Sequence, residues 1–181
     1  MRKVLFILGQ LSDEDVEWLS KSGSRDRVSA GKILIEEGRS IDSMFILLDG
    51  KMVVSLKGIG NVATLSSGEI MGEMSLVDSR PPSASITAES DCLVLRIPRA
   101  TLTAKLETDI AFSARFYKAI ATFLSDRLRG TVQRLGYGDK GASLDEDTEL
   151  EGELDLNVLD NVHLAGARFE RMLKTLLGDR R

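Results

Sequence analysis

Between residues 24 and 98 short β-prone runs alternate with glycine turns so closely that no long helix fits. Ile33-Leu34-Ile35 and the runs 44–48, 51–56, 62–65, 84–88 and 92–97 carry the branched and aliphatic residues that suit a pleated, half-buried surface. Ala30-Gly31-Lys32, Glu37-Gly38-Arg39, Asp49-Gly50, residues 58–61 and Ser67-Gly68 break them apart. Asp49-Gly50 is the sharpest of these signals, because a two-residue hairpin needs positive φ and Asp-Gly supplies it. Six or more short strands at this spacing close on themselves as a sandwich, barrel or roll. The fold class expected is mainly β with flanking helices.

The flanks read differently. Ser12 is a natural N-cap, and Asp13, Glu14 and Asp15 suit the positive end of a helix whose Val16, Leu19 and Trp18 face inward. After the strands come a short helix at 99–107 and a long one at 108–135. The long helix carries two apolar stripes. Phe112, Phe116, Ala119 and Phe123 form one, while Ile110, Ala114, Tyr117, Ala121, Leu124, Leu128, Thr131 and Leu135 step by threes and fours like a coiled-coil seam. One stripe can pack on the β layer; the other needs a partner, so a homodimer through Ile110, Tyr117, Leu124 and Leu128 is expected. Arg127, Arg129 and Arg134 suit the negative end of the helix dipole.

Three zones follow. Residues 1–135 form the roll with its helices. Residues 136–154, rich in glycine and in acids such as Asp145, Glu146, Asp147 and Glu149, read as a linker. Residues 155–181 read as an amphipathic helical extension, with Val158, Val162, Ala165, Phe169, Met172 and Leu176 on one face and Gly166 weakening it by about 1 kcal/mol relative to alanine. Such a helix docks on its own domain, on a second copy or on a protein partner.

Composition excludes several activities. The 181 residues carry a net charge of −4, one Cys and one His. A sequence-independent nucleic-acid binder normally carries a basic surplus, and no winged helix-turn-helix with a basic recognition helix follows residue 135, so DNA binding is not expected. A metal or Ser-His-Asp centre would have to be built on His163, which lies in the terminal helix, so no catalytic and no metal-ligating residue is expected. Cys92 has no partner for an internal disulfide, which points to a reducing, cytoplasmic setting. The apolar stretch 4–8 follows Met1-Arg2-Lys3 as in a signal peptide but is too short for one, and no run approaches the roughly twenty residues of a membrane span. Gly58-Ile59-Gly60-Asn61-Val62-Ala63 matches a dinucleotide pattern, yet a strand and not a helix follows it, so it reads as a hairpin tip.

One segment is more specific. Gly68-Glu69-Ile70-Met71-Gly72-Glu73-Met74-Ser75-Leu76-Val77, followed by Pro81-Pro82-Ser83-Ala84-Ser85-Ile86-Thr87-Ala88, resembles the phosphate-binding cassette of the cyclic-nucleotide-binding domain family, shared by catabolite activator proteins and protein kinase A regulatory subunits. Gly31, Gly38 and Gly50 fit the same pattern, and the resemblance covers about residues 5 to 135. It implies a cyclic-nucleotide-binding β-roll (double-stranded β-helix or jelly roll) with a long C-terminal helix and a terminal helical extension. It implies that Glu73 grips a ribose 2′-hydroxyl, that cAMP or cGMP is the ligand, and that there is no other cofactor. The site residues expected are Gly72, Glu73, Met74, Ser75, Arg80, Ser83, Ala84 and Ser85.

The chain departs from the family at one position. The cassette arginine that pairs with the cyclic phosphate stands nine or ten residues after the glutamate, and here those positions are Pro82 and Ser83. A lost charge-assisted hydrogen bond costs about 1.5–3 kcal/mol, roughly one to two decades of affinity. Arg80 and the hydroxyls of Ser83 and Ser85 are the nearby replacements. Two readings follow: a non-catalytic regulator that senses a cyclic nucleotide or related small anion and signals through its C-terminal helices, or a protein-interaction and assembly module with a degenerate pocket.

Overall fold

The computed structural model describes residues 4–136 and 156–177. The linker lies outside them, as do the side chains of His163, Thr131 and Leu135. Among the described residues eight strands, β1 (Ser24–Val28), β2 (Ile33–Ile35), β3 (Ser43–Asp49), β4 (Lys51–Leu56), β5 (Gly60–Ser66), β6 (Ile70–Met71), β7 (Ser85–Ala88) and β8 (Cys92–Pro98), form two antiparallel sheets, ordered β1-β8-β3-β6 and β2-β7-β4-β5. Period-two alternation divides β3 between two cores. Phe45 and Leu47 point between the sheets with Val28, Met71 and Val94, and there meet Ile35, Met52, Leu65 and Ile86. Met44, Ile46 and Leu48 point the other way, into a cluster with Leu95, Ile97 and the helices. A strand covered on both faces reads as a continuous apolar run, and that is why 44–48 carries no polar residue.

Asp49-Gly50 turns β3 into β4 as expected. Gly50 has φ 96°, and a Cβ there would fall 2.6 Å from the Cys92 sulfur. The dinucleotide-like pattern is the β4–β5 hairpin, with Ile59 N–H donating to the Leu56 carbonyl at 3.1 Å.

Among the described residues six helices complete the fold: α1 (Val4–Gln10), α2 (Asp13–Ser22), α3 (Glu73–Asp78), α4 (Arg99–Thr108), α5 (Ile110–Gly136) and α6 (Leu156–Leu177). Ser12 caps α2 in a reciprocal box: its backbone N–H donates to Asp15 Oδ2 at 2.7 Å, and Asp15 N–H donates to Ser12 Oγ at 3.2 Å. Phe112, Phe116, Ala119 and Phe123 of α5 are all buried. Phe112 packs edge-on to Trp18 at 5.4 Å and stacks with Phe116 at 5.6 Å. The second stripe of α5 stays at the surface: Ile110 is 83% exposed and Leu128 64%, while Leu124 is half-buried against the helical core. The terminal helix α6 docks on α1 and α2 of its own domain, with Ala165, Phe169 and Met172 buried.

Three elements go beyond the expected list. α1 spans seven residues, too few for helical periodicity to show, and is held by packing on α5 and α6. β1 reads Ser-Arg-Asp-Arg-Val, with only Val28 buried; its pairing with β8 makes it a strand. β6 is two residues long and is defined by its register with β3, Phe45↔Met71 and Ile46↔Ile70.

Candidate functional site

β6 delivers the chain to Gly72, the hinge of the cassette. Gly72 sits at φ 84°, a left-handed conformation, and a Cβ would lie 2.7 Å from Ile41 Cδ1 and 3.1 Å from the Ser43 carbonyl. The positive φ calls for glycine, and the nearby Ser43 carbonyl leaves little room for a Cβ. α3 then opens with Glu73 and closes at Ser79, whose φ of 59° is the one positive value at a non-glycine among the described residues. Ser79 N–H donates to the Ser75 carbonyl at 3.1 Å, and its Oγ accepts from Arg99 Nη2 at 2.6 Å. The end of the cassette helix is therefore tied to the start of α4.

Glu73 is the chemically distinctive residue. It is only 3% exposed, and Arg127 Nη1 of α5 donates to its Oε1 at 2.9 Å. The Arg127 guanidinium also lies 5.6 Å from the Phe123 ring centre. Burial pushes the Glu73 carboxyl above the usual carboxylate range, outweighing the pull of Arg127 toward the charged form. A buried carboxylate with a raised pKa and one arginine partner is a group whose charge is costly and which readily takes another donor.

The other expected site residues divide. Ser75 is buried on α3; Met74 is 47% exposed on its outer side. Ala84 is half-buried and Ser83 exposed. Ser85 Oγ accepts from Glu37 N–H at 3.0 Å, and the Pro82 carbonyl accepts from Gly38 N–H at 2.9 Å, so this stretch is stitched to the β2–β3 loop. Arg80 is turned to solvent with 84% of its side chain exposed; its N–H donates to Asp78 Oδ1 at 3.0 Å and its Nε lies 3.9 Å from Asp78 Oδ2. The geometry thus joins Gly72, Glu73 and Ser75 around one turn and leaves Arg80 and Ser83 outside it.

Arg127 is the residue that sequence reading missed as part of this site. It had a signal: position 127 stands four residues after Phe123, on the same side of α5 as the buried stripe. Among the described residues, no group of three His, Cys, Asp or Glu side chains gathers as a metal site.

Comparison with known proteins agrees with this architecture. Residues 25–109 match the sequence profile of a family described as Cyclic nucleotide-binding domain. An uncharacterized NTE family protein of Mycobacterium tuberculosis is 29% identical over 118 residues, 65% of this chain and 20% of that protein. A cAMP-dependent protein kinase regulatory subunit of Aspergillus fumigatus is 35% identical over 71 residues, 39% of this chain and 17% of its own length. The chain therefore spans about a fifth of the curated relatives it matches. A crystal structure of a cyclic nucleotide-binding domain from Methylobacillus flagellatus superposes with a TM-score of 0.67 at 23% identity, covering 77% of this chain and 84% of the other, and shares the fold.

Proposed function

We propose, from the premise that residues 25–109 are a cyclic nucleotide-binding domain, that this chain is a non-catalytic regulatory module that takes a cyclic nucleotide or related small anion at the cassette and signals through its C-terminal helices. The observation that carries the reading is the Glu73–Arg127 contact, which joins the cassette to α5 at 2.9 Å. A ribose hydroxyl donating to Glu73 would share or replace the Arg127 hydrogen bond, so that ligand capture and the seating of α5 become one equilibrium. The ligand expected is cAMP or cGMP, contacted by Gly72, Glu73, Met74, Ser75, Ala84 and Ser85. With Pro82 at the arginine position, Arg80 and Ser83 are the groups that would turn inward to meet the phosphate.

The exposed stripe of α5 supports a homodimer. Ile110, Tyr117 and Leu128 are 83%, 48% and 64% exposed, an apolar row that a second copy would cover. In this reading residues 1–135 act as the sensor, 136–154 as the linker and 155–181 as the extension, in the cytoplasm and without DNA binding by this chain. No described helix is long and apolar enough to cross a membrane. The stitching of Pro82 and Ser85 to the β2–β3 loop favours a second reading, an assembly module whose pocket has lost its nucleotide.

Calorimetric titration of the chain with cAMP and cGMP, beside Glu73→Ala, separates them. Micromolar binding that vanishes in the variant is the expected result. No heat at millimolar ligand would leave the assembly module standing.

A further inference from the structure

The first turn of α2 holds two other helices at once. Asp15 accepts from Arg115 of α5 on both oxygens, from Nε at 2.6 Å and Nη2 at 2.9 Å. Asp13, two residues earlier, accepts from Arg168 Nε at 2.7 Å and Arg171 Nη1 at 2.8 Å, both from α6. Arg168 reaches further, its Nη1 donating to the carbonyls of Leu8 at 3.0 Å and Gly9 at 3.4 Å in the last turn of α1. Carbonyls there lack partners within their own helix. A single guanidinium, 16% exposed, therefore closes the end of α1 and the start of α2 together. Beside it Ala165, Phe169 and Met172 join the cluster that contains Ile7, Leu8, Leu11, Val16 and Leu19.

This is recognition by sequence as well as by apolar area, since Arg168-Phe169 and Arg171-Met172 each set a charged hook beside a buried anchor. The segment joining α6 to α5 has seven acids between residues 145 and 155 and little apolar surface to bury. We infer that the α1–α2 corner is a docking surface for an arginine-bearing amphipathic helix, occupied in cis by α6 and released reversibly. The inference stands whether or not the cassette takes a nucleotide. Because Asp13 and Asp15 share one turn, a shift of α5 against Asp15 changes the platform that Asp13 offers to α6.

The test uses the full chain with a protease site placed within 137–155 and cut after folding, so that α6 is held by non-covalent contacts alone. A fluorescein-labelled peptide of residues 156–177 is then added and followed by anisotropy. Saturable exchange, competed by unlabelled peptide, is expected. An Arg168→Ala peptide should bind at least about tenfold more weakly, the scale of a lost charged hydrogen bond. As a second variant, Asp13→Asn in the uncut chain should speed amide exchange in α6 while the β-sheets keep their protection. Two results would overturn the inference: no exchange while the cut chain retains α6, which would make α6 a permanent part of the core, or equal binding of the Arg168→Ala peptide.

Discussion

Two carboxylate–arginine pairs pin α5, one at each end of its contact with the domain, and they hold their carboxylates in opposite ways. Asp15 is 4% exposed and accepts three hydrogen bonds, two from Arg115 and one from Ser12 N–H. Burial alone would raise its pKa, yet the Arg115 and Ser12 donors outweigh it, and the carboxyl lies below the usual aspartate range. Glu73 is as little exposed but is enclosed far more deeply by protein, and there burial outweighs both Arg127 and the backbone N–H of Glu73 itself. The lesson is that similar exposure gives a fixture where donors outweigh a shallow site's desolvation, and a responsive group where deeper enclosure outweighs its donors.

The largest expected effect tests the fixture. Asp15→Ala removes both the capping box and the Arg115 pair and should cost about 3 kcal/mol in urea unfolding, the low end for breaking a buried pair because Arg115 keeps contact with solvent. A cost near zero would break the comparison. Arg127→Ala should cost less, about 1–2 kcal/mol at pH 7, because Glu73 can escape by taking a proton. That cost should shrink between pH 7 and pH 5, whereas the cost of Arg115→Ala should stay level down to about pH 4.

The signs follow from linkage. Asp15 has a lowered folded pKa, so its stabilisation is present above the ordinary aspartate value and is lost as pH falls through the lower folded one. Glu73 has a raised folded pKa, so its favourable contribution is present below the ordinary glutamate value and is lost as pH rises through the folded one. Glu73→Gln should therefore gain on the wild type as pH rises from 5 to 8, checked by melting temperature at each pH. The smallest effect is at Arg80: being exposed and hooked only to Asp78, Arg80→Ala should change stability by less than about 0.5 kcal/mol. If the same variant loses nucleotide, Arg80 is the phosphate contact.

The roll was legible because its β-prone runs are short and its turns announce themselves: Gly50 and Gly72 both take positive φ where the sequence places a turn. The buried phenylalanine stripe of α5 was legible from its spacing by fours and threes. What local pattern cannot carry is the identity of a distant partner. Arg127 and Glu73 are 54 residues apart, and Arg168 and Asp13 are 155 apart, so local spacing can place each residue on a helix face but cannot name its partner. The first-turn acids of α2 read as dipole partners, whereas Asp13 and Asp15 also bridge to α6 and α5. Arg80, the cation nearest the cassette in sequence, points to solvent, and the cation at Glu73 comes from α5.

The most direct measurement is amide hydrogen exchange of the full chain with and without saturating cyclic nucleotide, compared between the two ends of α5. Faster exchange around residues 123–132 on binding, with residues 112–119 unchanged beside Asp15, is what a responsive Glu73–Arg127 link predicts. Nucleotide that binds with measurable heat yet leaves both ends of α5 at their original rates would contradict it.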